Sequence, residues 1–310
     1  GYAAYVQDGT YDEQVHLDWS QRLLVQGETE RESNWRFDSK TPVLLPNVWL
    51  AEKLRPFFEF KPAWQLPLQR LPTLFWLCGL CLAVWVLGRQ VGGSACGWLA
   101  LMAVVLDPNV IAHSSLATVD VAYACNATAA LAGMIAMARR PRLLTAIGIG
   151  IFMGLAYCSK FTANLLLGSL AAIPLAWTAR PRWRWRLAAS AVLWLIAGAI
   201  AADLVICSAY LFVDVALPFS AIPFKSRALQ AAAAYWPQLR LPLPAAFLTG
   251  LDHCVAAERG NWNGVILGRW YPQGVWFYFL VLWLLKTPLV LLAAEIWGLL
   301  QAARSRRLWW

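Results

Sequence analysis

The first residues that could do chemistry lie near the start of the chain. Asp12, Glu13 and His16 are spaced at intervals of one and three residues, which places Asp12 and Glu13 within reach of His16 on a helix. Carboxylates beside an imidazole could supply a general base or a set of metal ligands. The same pattern is typical of a capped, solvated helix start, so the spacing alone leaves both interpretations open.

Single charged residues beside apolar runs form a second group. Lys40 precedes a Thr-Pro turn, Asp120 opens an apolar run, and Lys160 lies between two such runs. A turn can explain Lys40, interaction with a helix dipole can explain Asp120, and snorkelling to the interface can explain Lys160. An acid or a cation at such a place can also face a polar cavity.

Lys286 is harder to explain, because about a dozen mostly apolar residues flank it on each side. A lysine near the middle of a membrane span costs about 2.5–3.5 kcal/mol or more unless it is paired or hydrated. Pro288 follows closely and should break the helix. The segment is therefore predicted to be re-entrant, or else to point Lys286 into a polar cavity.

The stretch 213–274 holds further candidates, namely His253, Arg259 and Arg269, followed by the aromatic residues Trp270, Tyr271, Trp276, Phe277 and Tyr278. An aromatic belt at a membrane interface would use these rings, and so would stacking on a sugar. Asp203 and Glu295 lie within apolar runs, where structural pairing or a transport pathway could explain them. The sequence has no inverted repeat to favour transport.

Composition identifies the elements that must position these residues. Of the 310 residues, 60% are hydrophobic and only 14% are charged, against about 25% charged in soluble domains. This excludes a soluble fold, disorder, collagen and a disulfide-stapled scaffold. The seven cysteines include the pair Cys78 and Cys81 but no second pair at zinc-ligand spacing, so we interpret them as small core residues.

A membrane-spanning helix needs about 20 apolar residues. The chain offers seven continuous Leu- and Ala-rich runs, roughly 71–88, 93–111, 118–138, 143–159, 161–178, 187–212 and 275–300. Alternation typical of membrane strands is missing from them. The fold class is predicted to be an all-α polytopic membrane protein of about seven transmembrane helices, with outer-face loops and amphipathic helices near 44–55 and 225–236.

Basic residues set the predicted orientation. Arg89, the loops 139–142 and 179–186, and the end 304–307 hold eleven of the 26 basic residues and no acid. Alternating spans put all four on one side, which the positive-inside rule assigns to the cytoplasm. The net charge of +9 therefore reports topology, and no nucleic-acid partner is expected.

Four regions follow from this topology: a first outer loop at 1–70, a six-helix core at 71–212, a second outer loop at 213–274, and a terminal span with a basic cytoplasmic end at 275–310. The sequence begins with Gly and stops just after an apolar run. We expect it to be part of a longer chain with further spans at both ends.

Five motifs in order carry a family resemblance, and they extend over about residues 8–295. They are Asp12-Glu13 with His16, Ser-Lys-Thr-Pro around Lys40, Leu-Ala-Thr-Val-Asp ending at Asp120, Gly-Leu-Ala-Tyr-Cys-Ser-Lys-Phe-Thr around Lys160, and Gly-Val-Trp-Phe-Tyr-Phe ahead of Leu-Lys-Thr-Pro around Lys286. Together they resemble the GT-C superfamily of membrane glycosyltransferases. The most similar branch is family 39, which includes protein O-mannosyltransferases and the bacterial lipid A aminoarabinose transferase. Thr41 stands where that family often has Pro.

The resemblance implies transfer of a sugar from a polyprenyl-phosphate donor to an acceptor hydroxyl, by single-displacement inversion, on the periplasmic face of a bacterial inner membrane. Asp12 matches the expected catalytic base, with Glu13 and Asp120 as further acids. The residues expected to face the donor phosphate are Lys40, Lys160, Lys286, Arg259 and Arg269. His16 and His253 would permit a divalent metal ion, and the acceptor would be a protein, a lipid or a glycan.

A second interpretation is a non-catalytic membrane subunit that keeps this fold and packs against partner subunits. The two differ in one observable respect. Catalysis predicts that Asp12, Lys40, Asp120 and Lys160 line one outward cavity, whereas a subunit would fill that space with helices or a partner.

Overall fold

The computed structural model describes residues 10–27, 41–57, 65–178, 185–257 and 264–304. Helices dominate these residues. They are α1 (Tyr11–Gln26), α2 (Leu45–Leu54), α3 (Gln65–Arg70), α4 (Thr73–Val105), α5 (Pro108–Ser114), α6 (Val119–Arg139), α7 (Leu143–Ser159), α8 (Asn164–Thr178), α9 (Trp185–Ala209), α10 (Arg227–Tyr235), α11 (Ala245–Ala257), α12 (Tyr278–Lys286) and α13 (Leu289–Arg304).

Several helices are long and apolar enough to cross a membrane. Among the described residues these are the helical segments Gln65–Val105, Val119–Arg139 and Val192–Ala209, with a fourth if α12 and α13 count as one bent span. Shorter apolar helices cover Leu143–Ser159 and Phe161–Ile173. The chain is therefore a helical membrane protein, as its composition predicts, and the count of seven crossings stays a prediction.

Helix α4 reverses direction within its length. Gly92 and Gly93 have non-helical backbones, and Gly93 has a φ of 78°. A Cβ on Gly88 would lie 3.1 Å from the Cβ of Ala100, although twelve residues of straight helix would separate them by about 18 Å. The rings of Trp85 and Trp98 also meet at 6.1 Å. This reversal lies where the sequence predicts the connection between the first two spans.

The junction of α12 and α13 is a sharp break. The two helices meet at 114° across Thr287 and Pro288. Proline cannot donate the next helical hydrogen bond and clashes with the preceding turn. The predicted break at Pro288 is confirmed, and it leaves Lys286 exposed at the C-terminal end of α12.

Helix α7 lies between α6 and α9 and makes the most extensive contacts in the bundle. Small residues allow α7 and α9 to approach closely. A Cβ on Gly150 would lie 1.9 Å from the carbonyl oxygen of Gly198, and one on Gly198 would lie 2.7 Å from the oxygen of Ala146. Backbone contact through small residues at four-residue spacing is typical of helix pairs in membranes.

Aromatic packing holds α1 and α11 against the ends of these helices. The ring of Phe247 on α11 lies 5.6 Å from that of Phe161, 5.8 Å from Tyr157 and 6.1 Å from Tyr210. Tyr210 in turn contacts Trp19 of α1 at 5.8 Å. This cluster fixes α1 and α11 close to the turn that carries Lys160.

The segments before α3 and after α9 contain, as helices α2 and α10, both pieces that the sequence predicts to be amphipathic. They also contain one feature that an all-α class omits, an antiparallel hairpin of β1 (Gly264–Ile266) and β2 (Arg269–Tyr271). Three-residue strands give too short an alternation to be recognised in a sequence dominated by apolar runs.

Candidate functional site

The N-terminus of α1 is built by a capping box. Thr10 accepts a hydrogen bond from the backbone N–H of Glu13 at 3.4 Å, and its own backbone N–H donates to Glu13 Oε2 at 2.9 Å. Each side chain thus satisfies a backbone donor of the other residue. The acidic first turn predicted from the spacing is therefore a capped helix start, and this fixes where Asp12 and Glu13 lie.

Glu13 is fully buried and paired with an equally buried Arg70 of α3. Arg70 Nε donates to Glu13 Oε1 at 2.8 Å, Arg70 Nη2 donates to Oε2 at 2.8 Å, and the N–H of Ala117 donates to Oε1 at 2.7 Å. Burial would raise the pKa of Glu13, but these hydrogen bonds outweigh it and hold the pKa below its ordinary value. Glu13 is therefore an ionised anchor between α1, α3 and the segment before α6.

This position is at odds with the catalytic role that the sequence suggests for Glu13. A carboxylate offers about four acceptor sites, and Thr10, Arg70 and Ala117 already fill that number. An acceptor hydroxyl would need one of these sites as well as access through a closed interior. The role that fits is to position its neighbour.

Asp12 differs from Glu13 because its side chain is exposed. His16 lies one turn later on α1, half-buried, and feels the charges of Asp12, Asp120 and Lys160. Burial, together with the charge of Lys160, lowers the pKa of His16 more than the two carboxylates raise it. The imidazole is therefore neutral at pH 7, and it interacts electrostatically with two acids and a cation.

Asp120, Lys160 and His113 form the charged part of the site. Lys160 Nζ donates to Asp120 Oδ1, and His113 Nδ1 lies 3.5 Å from Asp120 Oδ2. The side chains of Asp120 and Lys160 are each 38% exposed and that of His113 is 48% exposed. A charged group arriving from outside can therefore reach the pair without unfolding anything around it.

Each of these side chains lies at the end of a helix. Asp120 is in the first turn of α6, Lys160 directly follows α7, and His113 is in the last turn of α5. Asp107 begins α5 by accepting hydrogen bonds from the N–H groups of Asn109 at 2.7 Å and Val110 at 3.2 Å. We call Asp12, His16, His113, Asp120 and Lys160 the helix-end cluster.

The structure brings Lys286 towards this cluster through its backbone. Asn109 Nδ2 donates to the carbonyl oxygen of Lys286 at 2.9 Å, so the end of α12 lies against the short helix that carries His113. Lys40 and Arg259 lie outside the described residues. Arg269 is in β2, where its guanidinium lies 5.6 Å from the ring centre of Tyr271.

The sequence suggests that His16 and His253 could hold a metal ion, but the described residues do not complete a set of ligands around either of them. Within the described ranges, no three His, Cys, Asp or Glu side chains are grouped so that they could hold a metal ion. His253 follows Asp252 on α11, and Asp252 is buried and accepts a hydrogen bond from the N–H of Ser226 at 3.0 Å. Near His16, a divalent cation would have to compete with Lys160 for Asp120.

Two residues of the site were not expected from the sequence. Arg70 lies 57 positions from Glu13, and no local pattern links them. His113 lies seven residues before Asp120, and the Asp-Pro at 107–108 is a helix-start signal that predicts α5 between them. That signal could have indicated a helix turning His113 back towards Asp120.

No protein-family model matches this chain, and neither does any curated protein or solved structure.

Proposed function

We propose that this chain is an integral-membrane glycosyltransferase of the GT-C type, which moves a sugar from a polyprenyl-phosphate donor to an acceptor hydroxyl. The observation that carries the proposal is the helix-end cluster. It combines an exposed acid, Asp12, in the first turn of α1 with a reachable cation, Lys160, at the end of the apolar helix α7. A lipid-linked anion would meet the protein at such a place.

Lys160 is the proposed contact of the donor phosphate. Its ammonium is already held by Asp120, so an incoming phosphate competes with that carboxylate. When the phosphate takes Lys160, Asp120 keeps His113, which lies 3.5 Å from its other oxygen. The pair therefore orients the lysine before the donor arrives and lets it change partners afterwards.

The reaction needs a base and a stabilised leaving group. The acceptor oxygen attacks the anomeric carbon, the bond from that carbon to the phosphate oxygen breaks, and the electron pair stays on the phosphate. Asp12 takes the hydroxyl proton, and Lys160 stabilises the growing phosphate charge. One displacement inverts the sugar carbon.

Glu13 acts here through its neighbour. The bidentate pair with Arg70 fixes the first turn of α1, and Asp12 projects from that turn. His16 is neutral and lies one turn from Asp12, so it can receive the proton that Asp12 collects. Lys40, Lys286, Arg259 and Arg269 remain proposed contacts of the donor phosphate.

The proposed setting is the periplasmic side of a bacterial inner membrane, in a bundle of about seven spans. Four acid-free basic connections support this orientation. Arg89 is exposed just before the reversal of α4, and Arg140 is exposed at the end of α6. The acceptor is a protein, a lipid or a glycan that reaches the membrane surface.

A non-catalytic subunit is the second candidate. The pairing of Lys160 with Asp120 favours it, because an ion pair that never opens would serve only to join α6 to α7. The two functions differ in whether Lys160 exchanges Asp120 for a phosphate.

The test of the proposed function is comparative mass spectrometry of membrane lipids and glycans from cells that carry the wild-type chain, Asp12→Asn or Asp18→Asn. Asp18 is 70% exposed on the same helix and pairs with Arg22, so it is a matched control. We expect one sugar-modified product to disappear with Asp12→Asn and to persist with Asp18→Asn. Persistence of every product with Asp12→Asn, in protein that still inserts, would reject Asp12 as the base.

A further inference from the structure

The hairpin of β1 and β2 has two unlike faces. Gly264 pairs with Tyr271 and Ile266 pairs with Arg269 on one face, while Val265 pairs with Trp270 on the other. The first face packs inward at Ile266, which is buried, and at Tyr271, whose ring lies 6.3 Å from that of Phe277, while Arg269 at the edge of this face is exposed. The outward face is therefore the one that Val265 and Trp270 form.

The outward face is apolar and open. Val265 is 54% exposed, Trp270 is 58%, Leu267 at the turn is 79%, and Trp276 just after the hairpin is 89%. Single exposed apolar residues are ordinary on a protein surface, whereas a contiguous group of large ones marks an interaction site. We call these four residues the hairpin patch.

The chemistry of the turn indicates what surrounds it. Leu267 and Gly268 have φ values of 50° and 78°, the two-residue left-handed turn whose positive φ values favour Asn-Gly. Here a leucine takes the first position, although a positive φ is unfavourable for a residue with a large side chain. A large apolar residue at the tip of a turn gains nothing from water, so this tip fits an apolar environment.

The patch is followed in the chain by a second exposed apolar surface, which a membrane protein would turn towards lipid. Helix α12 follows the hairpin, and its residues Phe279 and Trp283 are 79% and 44% exposed. Arg269 lies at the hairpin edge, with its guanidinium near Tyr271. Rings with polar edges, together with an arginine, are typical of the boundary between lipid headgroups and acyl chains.

We propose that the hairpin patch is a lipid anchor that inserts into the headgroup region of the bilayer, with Leu267 and Trp270 among the upper acyl chains and Arg269 at the phosphates. The anchor does not depend on glycosyl transfer, so its test is independent of the proposed function. It holds the end of the second outer loop at a fixed depth. A second copy of this chain would use the same face in a different way, and the following experiment separates the two occupants.

The test uses the full chain in nanodiscs of phosphatidylethanolamine and phosphatidylglycerol, with the photoreactive residue p-benzoylphenylalanine replacing Leu267. After irradiation, intact-mass analysis counts phospholipid adducts. Asp18 is the water-facing control and Phe279 the lipid-facing one. We expect adducts at Leu267 at least tenfold above those at Asp18 and close to those at Phe279.

Each outcome of this experiment either supports or overturns the proposed lipid anchor. Adducts at Leu267 no more frequent than at Asp18 would overturn the proposal, and so would a crosslinked pair of chains in place of lipid adducts. The same substitution at Trp276 reports the same surface if the Leu267 variant fails to fold. Lipid adducts at Trp276 would support the anchor, and their absence would reject it.

Discussion

At the scale of single residues, two neighbouring acids have opposite roles. Asp12 is exposed, whereas Glu13 is fully buried against Arg70. The sequence predicts an acidic, capped helix start, and it cannot say which acid turns inward. That choice depends on Arg70 and on the N–H of Ala117, both distant in the chain.

Replacing Glu13 by Gln should destabilise the protein strongly. The change leaves Arg70 as a buried charge without its counter-ion, which costs about 3–5 kcal/mol. The matched control is Glu52→Gln, because Glu52 forms a surface pair with Arg55 at 3.5 Å, worth about 0–1 kcal/mol. Thermal unfolding in nanodiscs measures both, and equal shifts in melting temperature would contradict the anchor role.

The same pair predicts an acid limit to stability. The pKa of Glu13 is lower in the folded protein than its ordinary value of 4.5. The stabilisation is therefore complete above about pH 4.5 and is lost as the pH falls through the lower folded value. As the pH is lowered from 6 to 3, the melting temperature of the wild type should fall, and that of Glu13→Gln should change less. Parallel profiles would show that Glu13 does not titrate as described.

The proposed exchange of Asp120 for the donor phosphate as the partner of Lys160 predicts the effect of replacing Asp120. If Asp120 and the donor phosphate compete for the lysine, Asp120→Asn should tighten binding of undecaprenyl phosphate. The gain should be about tenfold, since a charge-assisted hydrogen bond of about 1.5 kcal/mol no longer has to be exchanged. Native mass spectrometry measures the affinity. Weaker binding by Asp120→Asn would mean that Asp120 serves only to orient Lys160.

At the scale of elements, close contact between α7 and α9 joins the helices around Lys160. Gly150→Ala would place a Cβ 1.9 Å from the oxygen of Gly198. Overpacking of this kind costs about 1–3 kcal/mol. Gly148→Ala on the same helix is the control, because its Cβ would have no atom within 4 Å. Loss of thermal stability in Gly150→Ala alone is expected, and equal stability of the two variants would contradict this packing.

Most of the elements could be predicted from the sequence, but their partners could not. Apolar runs predict α6, α7 and α9, and Pro288 predicts the break after α12, because these signals are local. The pair of Glu13 with Arg70 depends on the tertiary fold, which no local pattern reports. The strands of the hairpin are too short to show the alternation of apolar and polar residues by which strands are recognised. Asp120 and Lys160 were expected at one membrane face, whereas their direct contact is visible only in the structure.

At the scale of the whole molecule, basic residues predict the orientation. An epitope inserted after Pro141 should be hidden from antibody in intact spheroplasts, whereas one after Pro223 should be accessible. Pro141 lies among Arg139, Arg140 and Arg142, and Pro223 lies in the stretch 213–274, which is predicted to be an outer loop. Antibody access at Pro141 without permeabilisation would reverse the orientation and place the helix-end cluster in the cytoplasm.

The central claim is that Lys160 binds the phosphate of a polyprenyl donor, and it can be tested without knowing the sugar or the acceptor. The measurement is the affinity of the purified chain for undecaprenyl phosphate in nanodiscs, by native mass spectrometry, for wild type, Lys160→Ala and Lys53→Ala. Lys53 is an exposed cation on α2 and serves as the control. Loss of a charge-assisted contact of about 1.5–3 kcal/mol predicts binding roughly 10- to 150-fold weaker for Lys160→Ala, with Lys53→Ala close to wild type. Equal affinity of all three proteins would contradict the account.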